Sequence, residues 1–402
     1  MSNFREESLE LHKQFKGKLS VNVKMSVENS HDLSLVYSPG VAEPCKEIFE
    51  SPEKIYDYTI KGNLVGIVSD GSAVLGLGNI GGAASMPVME GKAALFKAFA
   101  DIDAFPICLN INDPEQIIQT VKALEPTFGG INLEDISAPN CFIIEERLKK
   151  EMNIPVFHDD QHGTAIVTAA GLINALKVVN KHLEDTKIVV NGAGAAGIAI
   201  TKLLLRMGVK DIIMCDTKGA IFKGRKNGMN SMKDSIAELT NKNNIEGSLE
   251  EVIKGTDVFV GVSVAEAVSA EMVQSMNKGA IIFAMANPTP EIMPEIARLA
   301  GAAVVGTGRS DMPNQVNNVL AFPGIFKGAL QVHASEINEE MKLAAVYAIA
   351  NLITADELSF DYVIPHAFDK RVVEAVTNAV AETAIKTGVA RKIPNAKQEN
   401  VV

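Results

Sequence analysis

The period of the hydrophobic residues changes along the chain, and these changes predict its main helices and strands. Short apolar runs typical of buried strands occur at NLVGIV, FPICLNI, GGINLED and IPVF. Between these runs, apolar residues recur at helical spacing over about 88–100, 114–124 and 140–152, and an acidic helix opens the chain. Strands that alternate with helices in this way indicate a mainly parallel sheet with crossover helices.

A second series of strands and helices begins after a long apolar helix, predicted from Gly163 to about Val179. Its strand-like runs are KIVVNGAG, DIIMCD, DVFVGV, AIIFAMAN and AAVVGTG, and the tail from about 320 to 390 has a mostly helical pattern. We therefore predict an α/β protein with an N-terminal domain over residues 1–160 and a second domain, ending in helices, over residues 161–402. The change of pattern near residue 160 is the basis for this boundary.

Composition and charge narrow the class of partner. The chain has 402 residues, of which 47% are hydrophobic, and this is enough for two ordinary cores. Its net charge of -11 argues against nucleic acid and anionic membranes, so we expect a small-molecule substrate. The charged N-terminus lacks the apolar segment of a signal peptide, and no apolar run is long enough to span a membrane, so we predict a cytoplasmic protein. The four widely spaced cysteines are predicted to be buried thiols, at Cys45, Cys108, Cys141 and Cys215.

A dinucleotide-binding fingerprint follows the strand KIVVN and opens an apolar helix. It reads GAGAAG, and the positions assigned to the cofactor are Gly192, Gly194, Ala195, Ala196 and Gly197. Strand, glycine turn and helix together form the context that places a pyrophosphate at a helix N-terminus, so the second domain is predicted to be of the Rossmann type.

The next strand, DIIMCD, ends in Asp216, where an acid should meet the adenosine ribose hydroxyls and repel a 2′-phosphate. This favours NAD and leaves NADP open, since Lys218 could accommodate a phosphate. A second match, GLGNIG at Gly76–Gly81, follows a broken run and lacks an acid at the end of a following strand. We predict a turn there, either lining a ligand cleft or simply tight.

Two pairs of adjacent carboxylates end predicted strands of the first domain. Glu134 and Asp135 follow GGINL, and Asp159 and Asp160 follow IPVFH. Parallel strands present their carboxyl ends at one edge of a sheet, so the four groups could converge and hold Mg²⁺ or Mn²⁺. Solvated carboxylates and helix caps remain the alternative. Two histidines, at 158 and 162, lack the HExxH arrangement, so we expect hydrogen-bonding roles for them rather than zinc ligation.

With these features placed, the sequence resembles the malic enzymes of the short bacterial type over nearly its whole length. The resemblance is carried by motifs in a common order, which are YSPGVAEPC at 37–45, SDGSAVLGLGNIG at 69–81, MEGKAALFKAFA at 89–100, NLEDISAPNCFIIEERL at 132–148, FHDDQHGTA at 157–165, NGAGAAG at 191–197, ANPTPE at 286–291 and GTGRSDMPNQVNNVLAFPGIFKGAL at 306–330. It implies oxidative decarboxylation of L-malate to pyruvate and CO₂ with NAD(P)⁺ and a divalent metal.

The resemblance also implies a role for each matching residue. The metal ligands would be Glu134, Asp135 and Asp160. Lys92 would be the general base, supported by Asp159, and Tyr37 would be the general acid. Asn287 and Asn318 would contact substrate and nicotinamide. A lysine suits the role of base in this chemistry. Hydride can leave C2 of malate only as its hydroxyl loses a proton, so a base is needed. A lysine that is desolvated beside a metal can have its pKa lowered towards neutrality.

The sequence departs from the longer eukaryotic malic enzymes at Ala73, where those enzymes carry an arginine that binds the substrate carboxylate. Our hypothesis for the replacement is Arg309, in the GTGRSD loop. The resemblance implies a homodimer, in which a site shared between subunits is an open alternative. Three other functions stay open: a redox-neutral oxaloacetate decarboxylase or malolactic-type enzyme, a nucleotide-sensing protein without catalysis, and a glutamate-type dehydrogenase that needs no metal carboxylates.

Overall fold

Two β-sheets covered by helices organise the part of the chain described by the computed structural model, which is residues 3–74 and 76–393. The first sheet is entirely parallel, with strand order β2-β1-β3-β4. Its strands are β1 (Leu64–Ser69), β2 (Asp103–Cys108), β3 (Gly130–Leu133) and β4 (Val156–His158). The helices before and between them are α1 (Asn3–Phe15), α2 (Ser30–Val36), α3 (Ala42–Glu50), α4 (Ile55–Tyr58), α5 (Gly81–Ala100), α6 (Pro114–Ala123) and α7 (Asn140–Glu151), with short 3₁₀ turns at Pro52–Lys54 and Ile60–Asn63.

The second sheet has the order β10-β9-β8-β5-β6-β7 and is parallel except for the two-residue strand β7. Its strands are β5 (Lys187–Asn191), β6 (Asp211–Asp216), β7 (Gly219–Ala220), β8 (Val258–Gly261), β9 (Ile281–Ala284) and β10 (Val304–Thr307). Its helices are α8 (Asp159–Val178), α9 (Ala195–Arg206), α10 (Ser231–Ala237), α11 (Leu249–Val252), α12 (Ala270–Gln274), α13 (Pro294–Leu299), α14 (Phe322–Gln331), α15 (Glu339–Ala350) and α16 (Lys370–Lys386), with 3₁₀ turns at Leu183–Asp185 and Asn318–Leu320. The predicted α/β class and the Rossmann-type order are confirmed.

Two helices begin earlier than the hydrophobic pattern predicts. The helix predicted from about residue 88 begins at Gly81, so the last glycine of the GLGNIG segment is the first residue of α5. The helix predicted from Gly163 begins at Asp159, so both aspartates lie in its first turn. Carboxylates are favourable at that position because the free N–H groups and the helix dipole give a helix N-terminus a partial positive charge. Polar first turns hide such boundaries from the apolar pattern.

One hydrophobic core joins the two sheets, and α8 runs through it. The core cluster contains Ile67 and Phe96 from the first sheet and its helix, Ile166 from α8, and Val190 from the second sheet. The ring centroids of Phe96 and Phe322 are 4.7 Å apart, so α14 also packs against α5. The boundary at residue 160 stays a prediction, since the core is continuous across it.

The part of the chain described before residue 61 contributes no residue to this core. No described residue from Phe4 to Ile60, which we call the N-terminal arm, is buried, although the arm carries large apolar side chains. Val21 is 89% exposed and Phe49 is 88% exposed. An apolar surface of this extent on a single chain is typical of a protein–protein interface.

The cysteine prediction is correct for two positions and wrong for two. Cys141 and Cys215 are buried, whereas Cys45 is exposed and Cys108 is partly exposed. Cys45 is exposed because it lies on α3 of the N-terminal arm, which has no core to bury it. None of the described helices is both long enough and apolar enough to span a membrane.

Candidate active site

Three carboxylates converge at the carboxyl edge of the first sheet. Glu134 and Asp135 directly follow β3, and Asp160 lies in the first turn of α8 after β4. One carboxylate oxygen from each residue lies within 4.8 Å of the others, and the backbone N–H of Asp135 donates to Asp160 Oδ2 at 2.8 Å. The buried Asp135 Oδ2 has no hydrogen-bond partner among the described residues. The predicted convergence of these groups is therefore present in the fold.

The electrostatics of this cluster fit a divalent cation. Burial and the neighbouring Asp160 and Glu134 raise the pKa of Asp135 to about 8. Burial raises the pKa of Glu134 to about 7 and of Asp160 to about 6, although the nearby Lys92 opposes both shifts. Three carboxylates at this separation favour protonation unless positive charge offsets their repulsion. An all-oxygen donor set with an unpartnered oxygen suits Mg²⁺ or Mn²⁺.

Lys92 projects from α5 into the same edge of the sheet and is 8% exposed. Its Nζ lies 2.6 Å from Asp159 Oδ2 and 2.8 Å from Glu134 Oε1, and 4.5 Å from the centre of the Phe322 ring. Burial lowers the pKa of Lys92, but the charges of Asp159 and Glu134 outweigh burial and hold it above its usual value. Two carboxylates that face the ammonium therefore raise the lysine pKa in the absence of a metal ion, and the lowered pKa expected beside a bound metal stays a prediction.

Asp159 connects Lys92 to the second domain. It is fully buried, and its Oδ2 accepts hydrogen bonds from Lys92 and from Asn318 Nδ2, the latter at 2.5 Å. Burial raises the pKa of Asp159 to about 7, against the lowering effect of Lys92. Gly163, one turn later on α8, leaves room for this carboxylate, since a Cβ built there would lie 1.9 Å from Asp159 Oδ1.

The GAGAAG turn has the geometry of a pyrophosphate-binding loop. Gly192 has φ of 116°, and a Cβ there would lie 2.5 Å from the carbonyl oxygen of Val262. A Cβ on Gly197 would lie 1.8 Å from the carbonyl oxygen of Gly192, whereas one on Gly194 would meet nothing within 4 Å. The first and third glycines are therefore required by packing, and the second leaves open space at the N-terminus of α9.

Asp216 ends β6 as predicted, but its carboxylate already has partners. Arg225 donates to both oxygens through its two terminal nitrogens, Lys233 Nζ lies 2.6 Å from Oδ2, and the backbone N–H of Lys218 donates to Oδ1 at 2.8 Å. Burial alone would raise the pKa of Asp216, but these hydrogen bonds lower it to about 2. The negative charge expected to repel a 2′-phosphate is thus offset by two cations.

Comparison with known proteins assigns the family. Residues 16–149 match the family model of the malic enzyme N-terminal domain, and residues 161–387 match that of the malic enzyme NAD-binding domain. The chain belongs to the malic enzyme family. It is 69% identical to the bifunctional malic/malolactic enzyme of Bacillus subtilis (strain 168), over 97% of this chain and 95% of that protein. It is 60% identical to the NAD-dependent malic enzyme of Geobacillus stearothermophilus, over 94% of this chain and 78% of that protein.

Solved structures agree. The crystal structure of the NAD-dependent malic enzyme from Thermotoga maritima superposes with a TM-score of 0.90 and 52% sequence identity, covering 93% of this chain and 98% of that one. The matched NAD-binding domain and these relatives indicate that this malic enzyme uses a nicotinamide cofactor.

Of the predicted substrate residues of this malic enzyme, Asn287 lies on a loop and Asn318 is the first residue of the 3₁₀ turn Asn318–Leu320. Asn287 follows β9, and a Cβ on Gly308 would lie 3.0 Å from its Nδ2. A Cβ on Gly76 would lie 3.9 Å from the carbonyl oxygen of Asn287, so the GLGNIG turn faces the second domain. Arg309 follows β10, but its guanidinium pairs with Asp311 at 2.6 Å. It makes no contact with the carboxylate cluster within the described residues.

Tyr37 does not reach the other catalytic candidates of its own chain. It ends α2 in the N-terminal arm, its side chain is 68% exposed, and its hydroxyl makes no hydrogen bond to any described residue. Among the described residues, no hydrogen bond links Tyr37 to Lys92 or to the carboxylate cluster of its own chain, and its role as general acid stays a prediction.

Sequence reasoning missed two residues that orient the site of this malic enzyme. Asn132 is buried on β3 and donates to Glu134 Oε2 at 2.8 Å; its position two residues before Glu134 is a signal that the pattern offered. Phe322, whose ring lies below the Lys92 ammonium, comes from α14 and had no local signal. The expected hydrogen bond was correct for His162, whose Nε2 lies 2.7 Å from Glu145 Oε1, and wrong for His158, whose ring nitrogens have no partner within the described chain.

Proposed function

We propose that the chain catalyses oxidative decarboxylation of L-malate to pyruvate and CO₂ with reduction of NAD(P)⁺. One observation carries this proposal: a buried lysine joins two carboxylates, one of which belongs to a cation-binding triad. Family membership supports it, since the relatives are named as malic enzymes that use NAD or NADP. A cytoplasmic location is supported by cysteines that are free thiols within the described chain.

We propose Glu134, Asp135 and Asp160 as the ligands of Mg²⁺ or Mn²⁺. When bound, the ion would act as a Lewis acid on the oxygen at C2 of the substrate and stabilise negative charge there during loss of CO₂. Asn132 would hold the Glu134 carboxylate in place through its 2.8 Å hydrogen bond. The raised pKa values of the triad support the assignment, because they identify a site where the charge of Lys92 does not fully offset burial and carboxylate repulsion.

Lys92 is proposed to take the proton from the C2 hydroxyl at its Nζ. Its present partner Glu134 is one of the proposed ligands, and a carboxylate engaged with a cation holds an ammonium less strongly, which lowers the lysine pKa. Asp159 would keep Nζ oriented after proton transfer, and Asn318 holds Asp159 from the second domain. Asn318, which contacts Asp159, and Asn287, whose backbone lies near Gly76, are proposed to contact substrate and nicotinamide.

The general acid Tyr37 is proposed to come from a second copy in a homodimer. Three features support this: its own chain leaves the tyrosine exposed, the N-terminal arm buries no described residue, and the arm carries a continuous set of exposed apolar side chains. A proton donor is needed at C3 once CO₂ has left, and a phenol is a suitable donor. An arm that docks on the partner subunit would bury its own apolar surface and would also supply Tyr37 to the partner's active site.

This homodimer can be tested by mixing inactive variants. Tyr37→Phe and Lys92→Met should each be inactive, but heterodimers formed by co-expression should contain one intact site, so a mixture should recover about a quarter of the normal activity. If each subunit used its own tyrosine, every site in the heterodimer would carry one defect and no activity would return.

The proposed cofactor is NAD, with NADP also accepted. The glycine turn suits either dinucleotide, and the position of Asp216 at the end of β6 supports contact with the ribose hydroxyls. Because Arg225 and Lys233 offset its charge, we propose that a 2′-phosphate is tolerated.

A second candidate function is the redox-neutral conversion of malate to lactate and CO₂, which is favoured by the name of the bifunctional malic/malolactic enzyme of Bacillus subtilis. It would use the same residues and retain the reduced cofactor. An assay of absorbance at 340 nm with L-malate, Mn²⁺ and either NAD⁺ or NADP⁺, followed by measurement of pyruvate and lactate, separates the two functions. NADH in equal amount to pyruvate, abolished by EDTA and by Lys92→Met, supports the first; lactate without net NADH supports the second. Lys97→Met, which changes an exposed lysine of the same helix, is the matched control.

A further inference from the structure

A crevice outside the proposed active site lies between α7, α8, α9 and α15. Its volume is 610 Å³, within the range of small-molecule sites. None of the carboxylates of the metal triad, nor Lys92 or the GAGAAG turn, lines it. We refer to it as the α7–α15 crevice.

The floor of the α7–α15 crevice is a buried, internally paired charge network. Lys342 is 2% exposed, and its Nζ lies 2.7 Å from Glu339 Oε1 and 3.0 Å from His162 Nδ1. His162 in turn lies 2.7 Å from Oε1 of the buried Glu145. Buried ionic groups are costly unless each has a partner, and this floor meets that condition without a ligand.

The walls carry the carboxylates of Glu146 and Glu336, and they also carry two ammonium groups that have no ion-pair partner within the described chain. Among the described residues, no carboxylate oxygen lies within 4.0 Å of Nζ of Lys149 or Lys202, whereas the neighbouring Lys150 and Arg206 are paired with Glu146 and Glu340. Lys149 lies on α7 and Lys202 lies on α9, and both side chains line the crevice.

A third donor is buried. Gln161 is 4% exposed, lines the crevice, and its Nε2 has no hydrogen-bond partner within the described chain. An unsatisfied buried amide is uncommon and is usually completed by a water molecule or ligand. The charge of Lys149 also acts inside the crevice: burial lowers the pKa of Lys342, and Lys149 lowers it further. Two ammonium groups and an amide are complementary to a small oxyanion with several acceptor atoms.

The α7–α15 crevice is connected to the metal-binding turn through α8. Gln161 directly follows Asp160, and Glu145 accepts a hydrogen bond from the backbone N–H of His158 at 3.4 Å as well as contacting His162. A ligand that contacts Gln161 or Glu145 therefore acts beside the first turn of α8, which carries Asp159 and Asp160.

We propose that the α7–α15 crevice binds a small carboxylate or phosphate anion, and that its occupancy changes the affinity of the Glu134, Asp135 and Asp160 site for its metal ion. The binding step stands independently of the reaction catalysed, and the effect on the metal rests on the proposed function of that triad. Ligands and metal are coupled because both act on one short helical turn.

Isothermal titration of the Mn²⁺-loaded enzyme, with NAD⁺ present to fill the pyrophosphate site, tests the binding step. The probes are glycerol 3-phosphate and succinate, which separate phosphate from carboxylate ligands. We expect at least one to bind, and Lys149→Gln/Lys202→Gln to weaken it at least tenfold. The control Lys210→Gln/Lys223→Gln removes two exposed charges elsewhere and should bind as the wild type. No binding of either probe at millimolar concentration, or equal binding by the crevice variant, would overturn the proposal.

The coupling is tested by the dissociation constant of Mn²⁺, measured by electron paramagnetic resonance with and without the bound probe. A change of at least twofold in the wild type that disappears in Lys149→Gln/Lys202→Gln supports it, and an unchanged constant overturns it. Both measurements need no turnover, so absence of malate oxidation would refute the proposed function and leave the crevice result standing.

Discussion

Replacing Gly163 with alanine should displace the carboxylate that orients Lys92. A Cβ at this position would lie 1.9 Å from Asp159 Oδ1, 2.9 Å from Asp159 Cγ and 3.0 Å from the Cβ of Asn318. Contacts between non-bonded heavy atoms are normally above 3 Å, so the carboxylate must move by about 1 Å or more. Asp159 is fully buried and α8 is fixed in the core, so the displacement occurs at the hydrogen bonds to Lys92 and Asn318.

Two opposing effects decide the stability of Gly163→Ala. Alanine in a helix interior is favoured over glycine by about 1 kcal/mol. A hydrogen bond to a charged group contributes about 1.5–3 kcal/mol, and the shift would weaken at least one of the two made by Asp159. The free energy of unfolding should therefore fall by about 0.5–2 kcal/mol. Catalysis should suffer more, because a misplacement of about 1 Å at a reacting group costs on the order of 100-fold in rate.

The assay for Gly163→Ala combines kcat for malate-dependent NADH formation with thermal unfolding. We expect kcat to fall about 100-fold, with a small change in the dissociation constant of NAD⁺. Gly171→Ala is the matched control on α8, since its Cβ would meet only side-chain atoms of Phe283 and Ile364, at 3.3–3.7 Å. A kcat for Gly163→Ala within twofold of the wild type would refute the positioning role of Asp159.

Three further results are expected. In EDTA, the melting temperature should fall as the pH rises from about 5.5 to about 8.5. The triad carboxyls have raised pKa values of about 6 to 8, so the folded protein binds more protons than the unfolded chain over this range. Mn²⁺ should remove this trend, and a melting temperature in EDTA that stays constant or rises with pH would contradict it. Lys233→Met should lower kcat/KM for NADP⁺ about tenfold relative to NAD⁺, since it removes one of the cations that offset the charge of Asp216. Steady-state kinetics with both cofactors measure this ratio, and an unchanged ratio would contradict the expectation. Arg309→Ala should raise KM for malate at least tenfold with little change in kcat if the guanidinium leaves Asp311 to bind the substrate carboxylate, whereas an unchanged KM would reduce Arg309 to a surface ion pair.

Local patterns predicted the elements of the fold because each strand and helix has its own hydrophobic period. The GAGAAG turn and the carboxylates after β3 and β4 were also predictable, since strand ends of a parallel sheet fix where such residues lie. The helix starts at Gly81 and Asp159 were not, because polar or glycine-rich first turns carry no apolar period.

What the sequence could not predict depends on contacts between distant segments. The raised pKa of Lys92 results from two carboxylates, at positions 134 and 159, that face it at the same time. The cations around Asp216 come from a loop and a helix beyond β6. The exposure of Tyr37 reflects a whole arm that finds no core in its own chain. In each case the environment of the residue follows from the tertiary structure, which the local sequence pattern does not encode.

The two adjacent aspartates of α8 illustrate how one local feature serves two purposes. In an extended strand, successive side chains point to opposite faces, so two adjacent carboxylates could not both reach one edge cluster. Successive residues of an α-helix project about 100° apart, so the first turn of α8 lets both aspartates reach this region while each meets different partners. Asp159 faces Lys92 and Asn318, while Asp160 faces Asp135 and the proposed metal. The early start of α8, which the hydrophobic pattern missed, is therefore the feature that lets one pair of residues connect the proposed base to the proposed metal.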